Sequence, residues 1–170
     1  MNIILFGMPL SGKTTVGRVI SKNLSMECID LDQEIEHFYG DNIYNLFLNL
    51  GEEKFREIEH KCLKGININD NHILSVGGGA ANKLNFNIIH SYSNRVWLEC
   101  ALDIILNRCN ISKEKRPLLY NTSNLISKLE ELYNSRKIFF NNLSNIKVDT
   151  TYSHSHEIAN EIILKINELN

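Results

Sequence analysis

The chain has 170 residues, of which 43% are hydrophobic and 22% charged, and a formal net charge of −2. That length and apolar content suit one globular domain, expected over 1–170, with a three-layer α/β core. The small net charge gives no electrostatic case for nucleic acid or an anionic membrane, and no apolar run reaches the length of a bilayer span.

The first element is an apolar strand, Ile3-Ile4-Leu5-Phe6, which runs straight into Gly7-Met8-Pro9-Leu10-Ser11-Gly12-Lys13-Thr14. This is G-x-x-x-x-G-K-[ST], and helical spacing follows over 13–24. Strand, loop and helix in that order predict a phosphate-binding loop for a nucleoside triphosphate. Successive backbone N–H groups would wrap the phosphates, and the helix would aim its positive dipole end at the same anion. Lys13 is expected to reach the β- and γ-phosphates, and the Thr14 hydroxyl to ligate Mg²⁺. The apolar run is too short for a signal peptide and no basic segment precedes it. The four cysteines (Cys28, Cys62, Cys100, Cys109) form no CxxC pair, which suits buried, reduced thiols in a cytoplasmic protein.

A second strand, 26–29, leads to Asp30-Leu31-Asp32 and a helix over 31–39. Alternation along an extended chain puts both carboxylates on one side. One can hold the water shell of a metal and the other can orient or deprotonate a hydroxyl. Asp32 can also be read as an N-cap. Helices are expected over 43–49 and 52–64. The second carries Phe55, Ile58, Cys62 and Leu63 on its apolar stripe, and its spacing makes Arg56 a partner for Glu52 and Glu59.

The third strand, 72–76, ends in Gly77-Gly78-Gly79, where backbone can approach a ligand that any Cβ would obstruct. A helix over 80–89, a strand over 94–99 with Trp97 in the core, and a helix over 101–109 follow. Residues 109–121 are charged, and Arg116-Pro117 disfavours helix, so a flexible loop and lid are expected there, with Arg116 able to close over phosphates. A helix over 122–140 carries Arg136 beside apolar Ile138, Phe139 and Phe140, a setting for an inward carboxylate clamp. A strand over 145–149 and a helix over 155–168 complete the chain. His154 and His156 read as surface or capping residues. Strands alternating with helices imply a parallel sheet covered on both faces, with ligands at the carboxyl ends of its strands.

Gly-x4-Gly-Lys-Thr, Asp-x-Asp, Phe-Arg-x-x-Glu, Gly-Gly-Gly, Arg-Pro-Leu-Leu and a late helical Arg before Val-Asp-Thr, in that order, resemble the shikimate kinases from Ile3 to the final helix. The resemblance implies a P-loop kinase fold with a five-stranded parallel sheet in the order 2-3-1-4-5. ATP would be the donor and shikimate the acceptor, giving shikimate 3-phosphate and ADP in aromatic amino acid biosynthesis. It implies ATP contacts by Leu10, Ser11, Gly12, Lys13, Thr14, Thr15 and Arg116, with Ser153 in the adenine loop. Thr14 and Asp30 would hold Mg²⁺. Lys13, Asp32 and Arg116 would be catalytic, with Asp32 as the candidate base. Shikimate would be bound by Asp32, Arg56, Gly77, Gly78, Gly79 and Arg136, with Glu59 steadying Arg56 and Phe47 and Phe55 walling the pocket. The substrate-binding region would be about 31–62 and the lid about 109–121, in a monomer. Three departures stand out: Leu10 occupies a frequent glycine position, Ser153-His154-Ser155 replaces an adenine loop that often holds arginine and proline, and the expected lid, Asn110 to Lys115, is more charged and lacks the usual glycines.

Two other readings compete. A gluconokinase would typically follow its acidic motif with His-Pro, where Gln33-Glu34 stands here, and a nucleoside monophosphate kinase would need a base pocket. A nucleotide-binding switch or inactive module would want Asn-Lys-x-Asp or would have lost Lys13, Asp32 or Arg116. The nearest match, Asn82-Lys83-Leu84-Asn85, lacks the acid, and all three residues are present.

Overall fold

The computed structural model describes residues 1–68, 71–111 and 124–169. Five strands form one sheet: β1 (Asn2–Gly7), β2 (Glu27–Asp30), β3 (His72–Ser75), β4 (Asn94–Glu99) and β5 (Ile146–Asp149). Their spatial order is β2-β3-β1-β4-β5, and every pairing is parallel. Ile3, Ile4, Leu5 and Phe6 of β1 are fully buried, as a central strand covered on both faces requires.

The alternation of β1 sorts the core into two layers. Ile3 and Leu5 face α1 (Lys13–Leu24) and α7 (Ser155–Leu169), packing with Val16, Ile20, Ile158 and Ile162. Ile4 and Phe6 face the other side, packing with α2 (Leu31–Tyr39), α3 (Ile43–Gly65), α4 (Phe86–His90), α5 (Leu102–Ile111) and α6 (Leu125–Leu143). Trp97 lies in this second layer at 1% exposure, beside Phe140.

Most predicted elements stand within one or two residues of their expected ends. The helices expected over 43–49 and 52–64 form one element broken at Gly51, whose φ of 77° and ψ of 166° are not helical. The helix expected over 80–89 is a correction. Residues 80–82 turn, Lys83–Asn85 is a 3₁₀ turn, and only Phe86–His90 is α-helical. Asparagine side chains favour such local backbone bonds over helix: the Asn82 carboxamide accepts from Asn85 N–H and donates to the Gly79 carbonyl. Residues 109–111 of the expected loop are instead helical, since α5 continues to Ile111. The rest of the predicted lid, Arg116 included, lies outside the described residues. Helix α6 runs on to Leu143 because Phe140 and Leu143 are fully buried. All four cysteines are free, but only Cys100 is fully buried.

Candidate active site

The sheet register fixes where functional residues emerge. Asp30, Leu5 and Ser75 lie side by side on β2, β1 and β3. The segments after these strands therefore leave the same edge together, with the phosphate loop where the connections diverge to either side of β1. They line one cleft of about 1010 Å³ that runs from Leu10 and Thr150 to Arg56 and Arg136.

At one end the backbone makes the site. Leu10 (φ 60°) and Gly12 (φ 95°) take left-handed conformations that turn the loop. No side chain caps the N-terminus of α1, which leaves its N–H groups directed at the cleft. Lys13 Nζ curls back over the loop and donates to the Met8 carbonyl at 2.9 Å. Ser11 Oγ is buried and has no hydrogen-bond partner among the described residues. An uncapped helix start and an orphaned buried hydroxyl in a left-handed loop fit a bound phosphate chain.

Thr14 Oγ1 donates to Asp30 Oδ2 at 2.7 Å, so the two expected metal ligands already touch. Among the described residues no group of three or more His, Cys, Asp or Glu could cage a metal. A hydroxyl beside one carboxylate fits Mg²⁺, which keeps several waters and takes phosphate oxygens as its other ligands. The expectation of two carboxylates alternating on an extended strand is corrected. Asp30 is the N-cap of α2, its Oδ1 accepting from Asp32 N–H at 3.1 Å, and Asp32 sits in the first helical turn. Both still line the cleft, because a helical turn directly at the strand end swings Asp32 toward Gly77. A Cβ built on Gly77 would stand 3.6 Å from Asp32 Oδ1.

At the other end side chains make the site. Arg56 Nη1 donates to both oxygens of Glu59, at 2.9 and 3.1 Å, while Nη2 meets Glu52 at 3.2 Å. The spacing alone suggests a surface pair, but Glu59 is 2% exposed. Burial pushes its carboxyl up to about 7, against the opposing pull of Arg56. The Arg56 guanidinium lies 5.5 Å from the Phe55 ring centroid and 6.0 Å from that of Phe47. Arg136 reaches the same place from α6. Burial and the charge of Arg56 pull its guanidinium downward in pKa, and among the described residues it makes no ion pair. Two neighbouring half-buried arginines call for an anion between them. The glycines set the clearance: a Cβ on Gly79 would lie 2.4 Å from Arg56 Nη1, and one on Gly78 would lie 3.0 Å from Arg136 Nη1 and 2.6 Å from the Gly7 carbonyl oxygen.

The shikimate kinase family model matches residues 9–167. The chain belongs to the shikimate kinase family. The shikimate kinase of Sulfurihydrogenibium sp. (strain YO3AOP1) is 35% identical over 166 residues, covering 97% of each chain. That of Aquifex aeolicus (strain VF5) is 32% identical over 167 residues, 98% of this chain and 96% of that one. Among solved structures, the shikimate kinase from Acinetobacter baumannii in complex with shikimate superposes with a TM-score of 0.92 at 29% identity, over 99% of this chain and 94% of that one. A gluconokinase from Sinorhizobium meliloti shares the fold at a TM-score of 0.66 and 15% identity, over 99% of this chain and 92% of that one.

Within this shikimate kinase framework the cleft gathers Leu10, Ser11, Gly12, Lys13, Thr14, Thr15, Asp30, Asp32, Phe47, Phe55, Arg56, Glu59, Gly77, Gly78, Gly79, Arg136 and Ser153. Arg116 alone of the predicted site residues lies outside the described residues. Two supports escaped the sequence reading. Arg108 Nη1 donates to the Leu10 carbonyl at 2.8 Å and Nη2 to that of Thr150 at 3.3 Å. Thr150 Oγ1 in turn donates to the Ser11 carbonyl at 3.0 Å. Arg108 belongs to no local pattern, and Thr150 closes the Val-Asp-Thr run without a role being read for it; the signal for both was their place after β4 and β5, on the ligand edge of the sheet.

Proposed function

We propose that this chain transfers the γ-phosphoryl group of ATP to the 3-hydroxyl of shikimate, with the residues of the described cleft in the following roles. The observation that carries the reading is the half-buried arginine pair, Arg56 and Arg136, closing over Gly78 and Gly79 in the same cleft as an uncapped phosphate loop. A small carboxylated polyol suits one end and a nucleoside triphosphate the other. Arg56 and Arg136 clamp the acceptor's carboxylate, Glu59 holds Arg56 in place, and Phe47 and Phe55 wall the ring. Asp32 accepts from the acceptor hydroxyl, aligns its oxygen for in-line attack and serves as the candidate base. The loop from Leu10 to Thr15 cradles the phosphates, and Lys13 offsets charge on the transferring group. Ser153 borders the adenine. Arg116 is assigned to the same charge-offsetting role by its Arg-Pro-Leu-Leu motif.

Thr14 and Asp30 would hold Mg²⁺, which when bound supplies charge neutralisation at the phosphate oxygens. The proposal treats 1–170 as one domain with a substrate-binding region at 31–62. The proposal takes the protein to act as a monomer. No described helix is long and apolar enough to cross a membrane. The proposed site of action is the cytoplasm, a reducing compartment that suits the four free cysteines. ADP release measured side by side with shikimate, quinate, gluconate and a nucleoside monophosphate tests the reading. Turnover with shikimate well above the others is expected; equal or greater turnover with gluconate or the nucleotide would overturn it.

A further inference from the structure

The segment after the triple glycine is held by a polar network that the roles above leave unused. Asn85 ends the 3₁₀ turn and is fully buried. Its Nδ2 donates to the Ala80 carbonyl at 2.8 Å, and its Oδ1 faces His60 Nδ1 at 2.7 Å. The first bond fixes which end of the carboxamide is oxygen. His60 must therefore carry its proton on Nδ1 and donate. Asn82 completes the bracket: its Nδ2 donates to the Gly79 carbonyl at 2.7 Å, and its Oδ1 accepts from Asn85 N–H at 3.2 Å. Two successive carbonyls of the loop, Gly79 and Ala80, are thus held from one side.

The other end of the network is on α3. His60 follows Glu59 directly and stands four residues beyond Arg56. The His60–Asn85 bond therefore ties the glycine loop to the helix that supplies the arginine of the clamp. The spacing it sets is tight, since a Cβ on Gly79 would come within 2.4 Å of Arg56 Nη1 and Nη2. A loop shifted by a fraction of an ångström would either push the Arg56 guanidinium off Glu59 or open a gap beneath it. Burial of a carboxamide is costly unless its donors and acceptors are met. Here each polar atom of the Asn85 side chain has a partner at this one junction.

We infer that Asn85, braced by His60, is a positioning residue for the acceptor site, setting the distance between the Gly78-Gly79 backbone and Arg56. The inference rests on the function proposed above. It does not place either residue in contact with substrate. Its effect is chiefly on acceptor binding, because the phosphate loop has its own supports in Arg108 and Thr150.

The test uses steady-state kinetics of the full chain with Asn85→Leu, His60→Leu and His60→Gln, each substrate varied in turn. Asn85→Leu is expected to raise the KM for shikimate about five- to tenfold and His60→Leu about threefold, with the KM for ATP and kcat within about twofold of the unaltered protein. His60→Gln, which keeps a donor for Asn85 Oδ1, is expected to restore the KM to within about twofold. If Asn85→Leu does not fold, the two His60 variants carry the same comparison. An unmoved KM for shikimate, or a KM for ATP that rises in step with it, would overturn the inference while shikimate turnover by the unaltered protein left the proposed function standing. Absence of shikimate turnover in the unaltered protein would overturn both.

Discussion

Residues 7–15 form their half of the cleft from backbone N–H groups and a helix end, whereas Arg56, Glu59 and Arg136 form theirs from side-chain charge, buried at Glu59 and half-buried at the two arginines. The first half is contiguous in sequence and its geometry is local. The second collects α3, the loop after β3 and α6, which are separated by up to 80 positions and joined only through the sheet and its packing. Backbone dipoles remain aimed whether or not a ligand is bound. Buried charges stay in place only if neighbours hold them, as Glu59 holds Arg56 and as the Asn85–His60 bracket holds the loop beneath it. The halves meet where Gly78 packs on Gly7, so close that a Cβ would stand 2.6 Å from the Gly7 carbonyl oxygen. Substitutions should therefore separate donor effects from acceptor effects except at that contact.

The largest expected effect lies between the two halves. Asp32→Asn keeps shape and hydrogen bonding but removes the negative charge, and turnover should fall by at least about 100-fold while ATP binding, followed by calorimetry, persists. Near-normal turnover would remove Asp32 from the chemistry. Next, Arg136→Ala should raise the KM for shikimate at least about tenfold, the scale of losing one charged hydrogen bond, with the KM for ATP unchanged. An equal rise in both constants would mean that the two halves are not separable. Gly79→Ala is expected to act in the same direction but less, about three- to fivefold on the KM for shikimate. Its new Cβ would press on the Arg56 guanidinium that Glu59 holds, so the thermal midpoint should fall as well.

Glu59 tests how burial governs the acceptor half through pH. Its carboxyl is raised from 4.5 to about 7 in the fold, with burial the largest cause. Between those values the folded chain binds more protons than the unfolded chain, so this group's contribution to stability falls as pH rises through about 7. Urea unfolding at pH 5 and pH 8 should show the unaltered protein losing stability relative to Glu59→Gln at the higher pH. The opposite trend would show that the Arg56 pair outweighs desolvation. The smallest effect belongs to the donor half. Leu10 sits at φ 60°, a conformation costing an L-residue about 1–2 kcal/mol. Glycine's greater chain entropy in the unfolded state offsets part of that, so Leu10→Gly should stabilise by no more than about 1 kcal/mol. A destabilised variant would show that packing of the Leu10 side chain outweighs the strain.

Local patterns carried much of this molecule. The glycine–lysine motif located the phosphate loop because that site is made from consecutive backbone, and the alternation of apolar strands with amphipathic helices implied a parallel sheet with helices on both faces. The helix start at Leu31 was legible but its cap, Asp30 rather than Asp32, was not, and neither was the failure of helix at 80–85. Both turn on side-chain caps, Asp30 in one case and Asn82 in the other, which compete with the periodic signal on equal terms.

The sequence by itself determined the phosphate loop, the order of the elements and the residue types an anionic acceptor needs, since each of these is fixed by neighbours within a turn or a strand. Only the tertiary structure decided that Glu59 is buried rather than solvated, that Arg56 and Arg136 face one another over the glycine loop, and that Arg108, Thr150, Asn85 and His60 brace the two halves. Burial and clearance arise from segments far apart in the chain, and no pattern along one segment encodes the distance to another.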